Sequence, residues 1–170
     1  LVDALEAVLS RRSIRKYTSE PVTEDAVRAL LEAAMAAPSA GNEQPWQFVV
    51  VTTRATLDEI PTFHEYAQMM YEAPLAVLVC GDHRHKKCRD FWVQDCAAAT
   101  QNLLLAAHAL GLGAVWVGVY PDDGLVSRLT QLLGLPPEVV PFALVAVGHP
   151  AEEKPPAARY DEKRVHYERW

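Results

Sequence analysis

Long apolar runs are missing from this 170-residue chain. Half of its residues are hydrophobic, yet no stretch reaches the roughly 18 to 20 that a membrane-crossing helix needs. Cysteine is scarce: Cys80, Cys88 and Cys96 form no Cys-x-x-Cys pair. An odd count argues against a secreted disulfide framework and fits a reducing compartment. Charge of one sign is also lacking, since 16 basic and 22 acidic residues leave a net charge of −6. That balance marks neither a disordered tail nor a general nucleic-acid binder, so any bound anion must be gripped locally. The N-terminal stretch, with acids at Asp3 and Glu6, lacks the basic-then-apolar order of a secretory signal, and the expected compartment is the cytoplasm. Neither G-x-G-x-x-G nor G-x-x-x-x-G-K-[ST] occurs, so no glycine-rich loop supplies a phosphate site. No segment repeats at a fixed period or is of low complexity.

What is present suits one mixed α and β domain over residues 1–170. Val2, Leu5, Val8 and Leu9 recur at helical spacing and stop at the cations Arg11, Arg12, Arg15 and Lys16. Thr23 precedes a second periodic run, Val27, Leu30, Leu31, Ala34 and Met35. Glu24 and Asp25 occupy its first turn, and Pro38 should end it. Strand character marks Phe48 to Thr53, Leu75 to Cys80, Ala114 to Val119 and Phe142 to Val147. Between them, Phe91 to Leu110 lacks Gly and Pro and is apolar on more than one face, as a central helix is, and Gly111 and Gly113 close it. Asp122 or Asp123 can cap a further helix through Leu133, which Gly134 and the Pro136, Pro137 pair terminate. From Gly148 to Trp170 a charged, proline-bearing tail still carries Val165, Tyr167 and Trp170, which predicts that it lies along a surface, its own or a partner's.

Three segments carry groups suited to chemistry. Arg11-Arg12-Ser13-Ile14-Arg15-Lys16 places four cations and a hydroxyl in six residues of an acidic chain. Guanidinium forks match phosphate oxygens, so this can be a phosphate and polar-ring clamp, or simply a solvated basic face at a helix end. Ala37-Pro38-Ser39-Ala40-Gly41-Asn42-Glu43-Gln44-Pro45-Trp46 is a small, polar loop that lets a flat ligand approach the backbone, or an ordinary helix-to-strand turn. His83-Arg84-His85-Lys86-Lys87-Cys88 puts two imidazoles and a thiol together. Its intervening cations would repel a divalent ion and no fourth ligand is evident, so a solvated loop is expected rather than a metal site. On the central helix, Asp95, Gln101 and Asn102 are expected to make polar contacts in the core or at a dimer seam.

The first two segments, in this order, resemble the nitroreductase family of flavoenzymes. The R-R-S-x-R cluster, the P-S-A-G-N-x-Q-P-W loop, the alanine-rich helix running into Leu110-Gly111-Leu112-Gly113, and Val115-Trp116-Val117-Gly118 all look like that family's landmarks, in register across most of the chain. The resemblance implies an α+β fold, a three-layer α/β/α sandwich with a mixed, mainly antiparallel sheet. It also implies a homodimer whose C-terminal extension, 148–170, wraps the partner subunit.

By the same resemblance, FMN is the cofactor and NADH or NADPH the electron donor. Arg11, Arg12, Ser13 and Arg15 match the segment that contacts FMN at its phosphate and at the polar edge of its ring, with Arg15 or Arg12 facing the charge of the reduced flavin. Pro38, Ser39, Ala40 and Asn42 match the loop that one subunit lends to the flavin held mainly by the other. Gly118 and Val119 fall where the family places backbone N–H groups near flavin N5. Arg159 matches a phosphate-binding arginine of the tail, with Arg164 as the alternative. No protein side chain is expected to act as catalytic nucleophile, because the flavin carries the redox step and the protein orients it. The implied activity is electron transfer from NAD(P)H to a small acceptor (a nitroaromatic, quinone, enone or flavin) by a ping-pong scheme. A non-catalytic FMN carrier or sensor would use the same motifs, and a small α and β interaction domain without a cofactor is a third reading. Two departures stand out: Pro156, Ala157 and Ala158 replace a lysine often present in the tail, and the lid insertion of larger relatives is short, leaving Phe63 to Tyr71 as local cover.

Overall fold

Asp3 starts the first helix, its carboxylate accepting from the N–H groups of Leu5 and Glu6 to cap α1 (Ala4–Ser10). The structure, a computed structural model, describes residues 3–85, 88 and 91–170. Val2, Lys86 and Lys87, on which readings above rest, lie outside the described residues. Thr23 caps α2 (Glu24–Met35) through a bond from the Ala26 N–H, with Glu24 and Asp25 in the first turn as the helix dipole favours. The chain continues through β1 (Trp46–Val51), α3 (Arg54–Phe63), β2 (Leu75–Asp82), α4 (Trp92–Ala109), β3 (Gly113–Gly118), α5 (Asp123–Leu133) and β4 (Val139–Gly148). Gly134, at φ 63°, ends α5 in the left-handed conformation that a side chain would resist.

The four strands form one sheet in the order β1-β2-β4-β3, every neighbouring pair antiparallel. Among the described residues, parallel pairing is confined to an isolated bridge between Ser13 and Ala114 on the outer edge of β3. The two central strands are buried on both faces. Along β2, Leu75, Val77 and Val79 join Leu30 of α2 and Leu103 of α4, while Ala76, Leu78 and Cys80 join Leu57 of α3 and Leu129 of α5. The result is three layers, α2 and α4 on one face of the sheet and α3 and α5 on the other. Leu78 and Leu144, both fully buried, each stabilise this arrangement by about 1.5–3 kcal/mol.

Several boundaries differ from the sequence reading: β1 covers Trp46–Val51 rather than Phe48 to Thr53, β2 runs on to Asp82, and β3 covers Gly113–Gly118 rather than Ala114 to Val119. Residues 54–63 form a helix despite Pro61, because Leu57, Ile60 and Pro61 recur on one face and pack beneath the sheet. The cover segment Glu65–Tyr71 is a kinked 3-10 stretch that buries Ala67, Met69 and Met70. Finally, β4 begins before Pro141 instead of after it. A proline gives the ladder no N–H, and the register shifts between Val79 and Cys80 opposite it.

Candidate functional site

The basic segment is laid along the open edge of β3. Ile14 and Tyr17 turn inward and are buried, whereas Arg15 and Lys16 turn outward. The Ile14 N–H donates to the Ala114 carbonyl at 3.0 Å, and the Tyr17 hydroxyl donates to the Ile14 carbonyl at 2.5 Å. Gly113 permits this approach: a Cβ there would lie 2.6 Å from Ile14 Cγ2.

The tail fastens the same segment from outside. The Thr18 N–H donates to the His149 carbonyl and the Ala151 N–H to the Lys16 carbonyl, each at 2.9 Å. Farther on, the Lys154 ammonium donates to the Ser13 carbonyl at 2.6 Å and pairs with Glu152 at 3.1 Å. Arg12 completes the attachment through Nε, 2.9 Å from the Pro155 carbonyl, and Nη1, 3.2 Å from the Leu9 carbonyl. Residues 149–155 therefore form a strap over 12–18 of their own chain. Past it, Tyr160, Tyr167 and Trp170 project with 81%, 85% and 100% of their surface exposed.

A cation cluster results at the junction. Burial, then the charges of Arg159 and Arg12, lower the pKa of Arg11 from its ordinary value. Arg11 Nε and Arg12 Nη2 are buried with no hydrogen-bond partner among the described residues. Repelling guanidinium groups with unused buried donors suit an anion with several oxygens. Arg12 has only Nη2 left to offer, because its other nitrogens hold backbone carbonyls. Arg164 pairs with Asp161 at 3.3 Å, which leaves Arg159 as the tail arginine electrostatically coupled to Arg11.

Farther along the same segment, a cavity of about 670 Å³ is bounded by Arg15 and Lys16, by Val115 to Gly118 of β3, and by Glu65, Tyr66, Gln68 and Met69 of the cover. A Cβ built on Gly118 meets nothing within 4 Å, so the floor there is open to a flat ligand. Val119, next along, packs its side chain in the core. His64, 2% exposed, lines the cavity and bonds the Gly118 carbonyl through Nε2 at 2.8 Å. The motifs in the sequence pointed to neither His64 nor the Glu152–Lys154 pair. The first is an isolated histidine at the end of an unanticipated helix, and the second acts through a contact spanning most of the chain.

Pro38, Ser39, Ala40 and Asn42 do not line this cavity. Their loop enters β1, at the opposite edge of the sheet from β3. It is built to hold one shape. The Ala40 N–H donates to Asp95 Oδ1 at 2.9 Å, the Gln44 N–H to Ser39 Oγ at 3.0 Å, and Gln44 Nε2 to Asn42 Oδ1 at 3.0 Å. Gly41, Asn42 and Gln44 all have positive φ. Asp95 is thus a buried polar contact of the loop, and Asn102 Nδ2 caps the end of α2 by donating to the Ala33 carbonyl. In the His83 segment, the imidazole of His83 packs edge-on against Trp92, Arg84 pairs with buried Asp82, and the Cys88 N–H donates to Glu43.

Against known proteins, the model of the nitroreductase family matches residues 8–63 and 61–149. A Methanothermobacter thermautotrophicus protein provisionally named NADH dehydrogenase/NAD(P)H nitroreductase is 47% identical over 169 residues, covering 99% of this chain and 88% of its own. A provisionally named NADH dehydrogenase/NAD(P)H nitroreductase of Parabacteroides distasonis superposes with a TM-score of 0.95 at 38% identity, covering all of both chains. A provisionally named nitroreductase of Desulfovibrio desulfuricans, crystallised with FMN, gives 0.86 at 35% identity, covering 100% of this chain and 99% of that one.

Proposed function

Because the chain belongs to the nitroreductase family, we propose that it is an FMN-dependent oxidoreductase that takes electrons from NADH or NADPH and passes them to a small acceptor. The observation that carries this reading is the cluster of Arg11, Arg12 and Arg159, in which Arg11 Nε and Arg12 Nη2 are buried donors unused among the described residues, on the segment whose Arg15 and Lys16 wall a cavity open over Gly118. A phosphate fits the first and a flat heteroaromatic ring the second, and FMN is one molecule carrying both.

In this reading Arg11 and Arg159 hold the phosphate, Arg12 fixes the strap that delivers Arg159, and Arg15 lies at the cavity wall as a fixed positive charge for an anionic ring edge. The cover segment excludes water from one side. Bound FMN supplies a two-electron relay between nicotinamide and acceptor, so that two half-reactions share one site and ping-pong kinetics are expected.

The loop at 38–42 reaches such a ring only from a second copy. Within one chain it sits at β1 and the clamp at β3, about 14 Å apart across three strand spacings. A homodimer with two composite sites resolves that separation, and exposed Leu5, Val8 and Leu9 on α1 are apolar surface that association would cover.

Sedimentation of the FMN-loaded protein, followed by anaerobic addition of NADH and NADPH in turn, tests the reading. A dimer whose flavin absorbance bleaches supports it. A yellow protein that keeps its colour is a carrier or sensor, and a monomer without affinity for FMN overturns the assignment.

A further inference from the structure

We propose that His64 is a positioning residue that sets the outward edge of β3 for the ligand in the cavity; the inference rests on the FMN reading above for the identity of that ligand. In an antiparallel ladder, alternate residues turn their N–H and C=O toward and away from the neighbouring strand. The Ala114 carbonyl faces away from β4, since it accepts from Ile14. Trp116 and Gly118 share its parity and face the same open edge. At Gly118 the carbonyl meets His64 at 2.8 Å. A carbonyl has no proton to give, so the imidazole must carry hydrogen on Nε2 and donate it.

The consequence falls on the Gly118 N–H. It shares the outward side with the bonded carbonyl, it is turned from β4, and no described residue accepts from it. Bonded by His64 through its carbonyl, Gly118 is held in the extended conformation, in which its own N–H, on the preceding peptide, faces the same open edge. Past the Ile14 contact at Ala114, that is the hydrogen bond holding the outer side of this strand end among the described residues.

His64 is itself well fixed. Its N–H donates to the Ile60 carbonyl, its carbonyl accepts from Ala67, and the ring is buried. It stands where α3 gives way to the cover, so the same bond ties the cover segment to the strand it faces. A buried, backbone-anchored donor aimed at one peptide of the cavity floor is how a supporting residue makes a site rigid.

The test compares wild type with His64→Gln, which keeps an N–H donor, and His64→Leu, which does not. In the cofactor-free proteins, the Gly118 carbonyl carbon and Val119 amide nitrogen resonances, the two ends of the bonded peptide, are expected to move in His64→Leu and to stay near their wild-type positions in His64→Gln. With FMN added, His64→Leu should bind at least about tenfold more weakly and show a shifted visible spectrum and midpoint potential, with His64→Gln restoring all three. Unchanged Gly118 carbonyl and Val119 amide resonances, spectrum and potential in a folded His64→Leu protein overturn the proposal. Should His64→Leu not fold, wild type decides alone. A slowly exchanging His64 Nε2 proton coupled across a hydrogen bond to Gly118 supports the assignment, and its absence sinks it. If wild type takes up no FMN, the functional reading fails, while the Gly118–Val119 peptide resonances in the cofactor-free proteins still judge the positioning.

Discussion

The Glu152 carboxylate accepts the Arg15 backbone N–H at 2.6 Å, joining the tail to the basic segment across 137 positions of sequence. That bond, and after it the ion pair with Lys154, holds the Glu152 carboxyl below its ordinary value near 4.5. Its folded pKa is depressed, so its contribution is complete above the unfolded value and is lost as pH falls through the lower folded one. Amide exchange at Arg15 and Ala151, corrected for intrinsic rate, should therefore be flat from pH 7 down to about 4.5 and quicken below it. Glu152→Ala should show the fast behaviour already at neutral pH; identical protection in that variant would remove the strap from the account.

Gly118→Ala separates the cavity from the fold. The added methyl meets no protein atom within 4 Å, and Gly118 is not among the positive-φ residues, so stability should change by less than about 1 kcal/mol. The methyl nevertheless projects over the floor on which a flat ring would lie. FMN affinity is expected to fall at least about tenfold with the melting temperature of the cofactor-free protein unchanged. Undiminished affinity measured by fluorescence titration would place the ring elsewhere.

Arg11 and Arg12 are adjacent but should fail differently. Arg11→Ala removes a charge-assisted contact worth about 1.5–3 kcal/mol, a loss of roughly 10- to 100-fold in FMN affinity, without loosening the tail. Arg12→Ala frees the Pro155 and Leu9 carbonyls, so protease should cut the tail sooner. If Arg12 acts mainly by delivering Arg159, its effect on FMN affinity should shrink in an Arg159→Ala background, a non-additivity that a double-mutant cycle reads directly. Full additivity would instead make Arg12 an independent phosphate ligand.

Much of this was legible in the sequence wherever local chemistry decides structure. Thr23 before an acidic first turn, Gly134 before two prolines and the unbroken apolar run of β2 are all short-range signals, and the corresponding elements lie where those signals put them. The R-R-S-x-R motif named a segment that borders the cavity through Arg15, whereas the P-S-A-G-N loop enters β1 at the opposite sheet edge. Most of what escaped was set by contacts distant in sequence. Helix α3 escaped for a local reason instead: its apolar residues share one face, but Pro61 within it disguises the pattern. Pro141 looked like a strand boundary because an isolated strand would stop there, whereas β4, held between β2 and β3, continues past it. The roles of His64, Glu152 and Lys154 depend on partners 54, 137 and 141 residues away, and no spacing rule reaches that far.

The placement of the 38–42 loop and the clamp at opposite sheet edges yields the sharpest prediction. If each site takes its clamp from one subunit and its loop from the other, a clamp variant and a loop variant are defective for different halves. Arg11→Ala disables a clamp. Ala40→Tyr keeps the N–H that Asp95 accepts from but puts a bulky ring where the loop would meet the partner's flavin. In a heterodimer of the two, one site combines both lesions and the other combines two intact halves. Random reassortment makes about half the dimers mixed, so about a quarter of all sites should regain FMN binding and nicotinamide-driven bleaching. Mixing the inactive proteins under conditions that exchange subunits, then titrating FMN, should reveal that fraction with wild-type affinity. A mixture that binds no better than its components, in which exchange of differently tagged subunits has been verified, would mean that clamp and loop serve the same chain, and the two-subunit site would have to be abandoned.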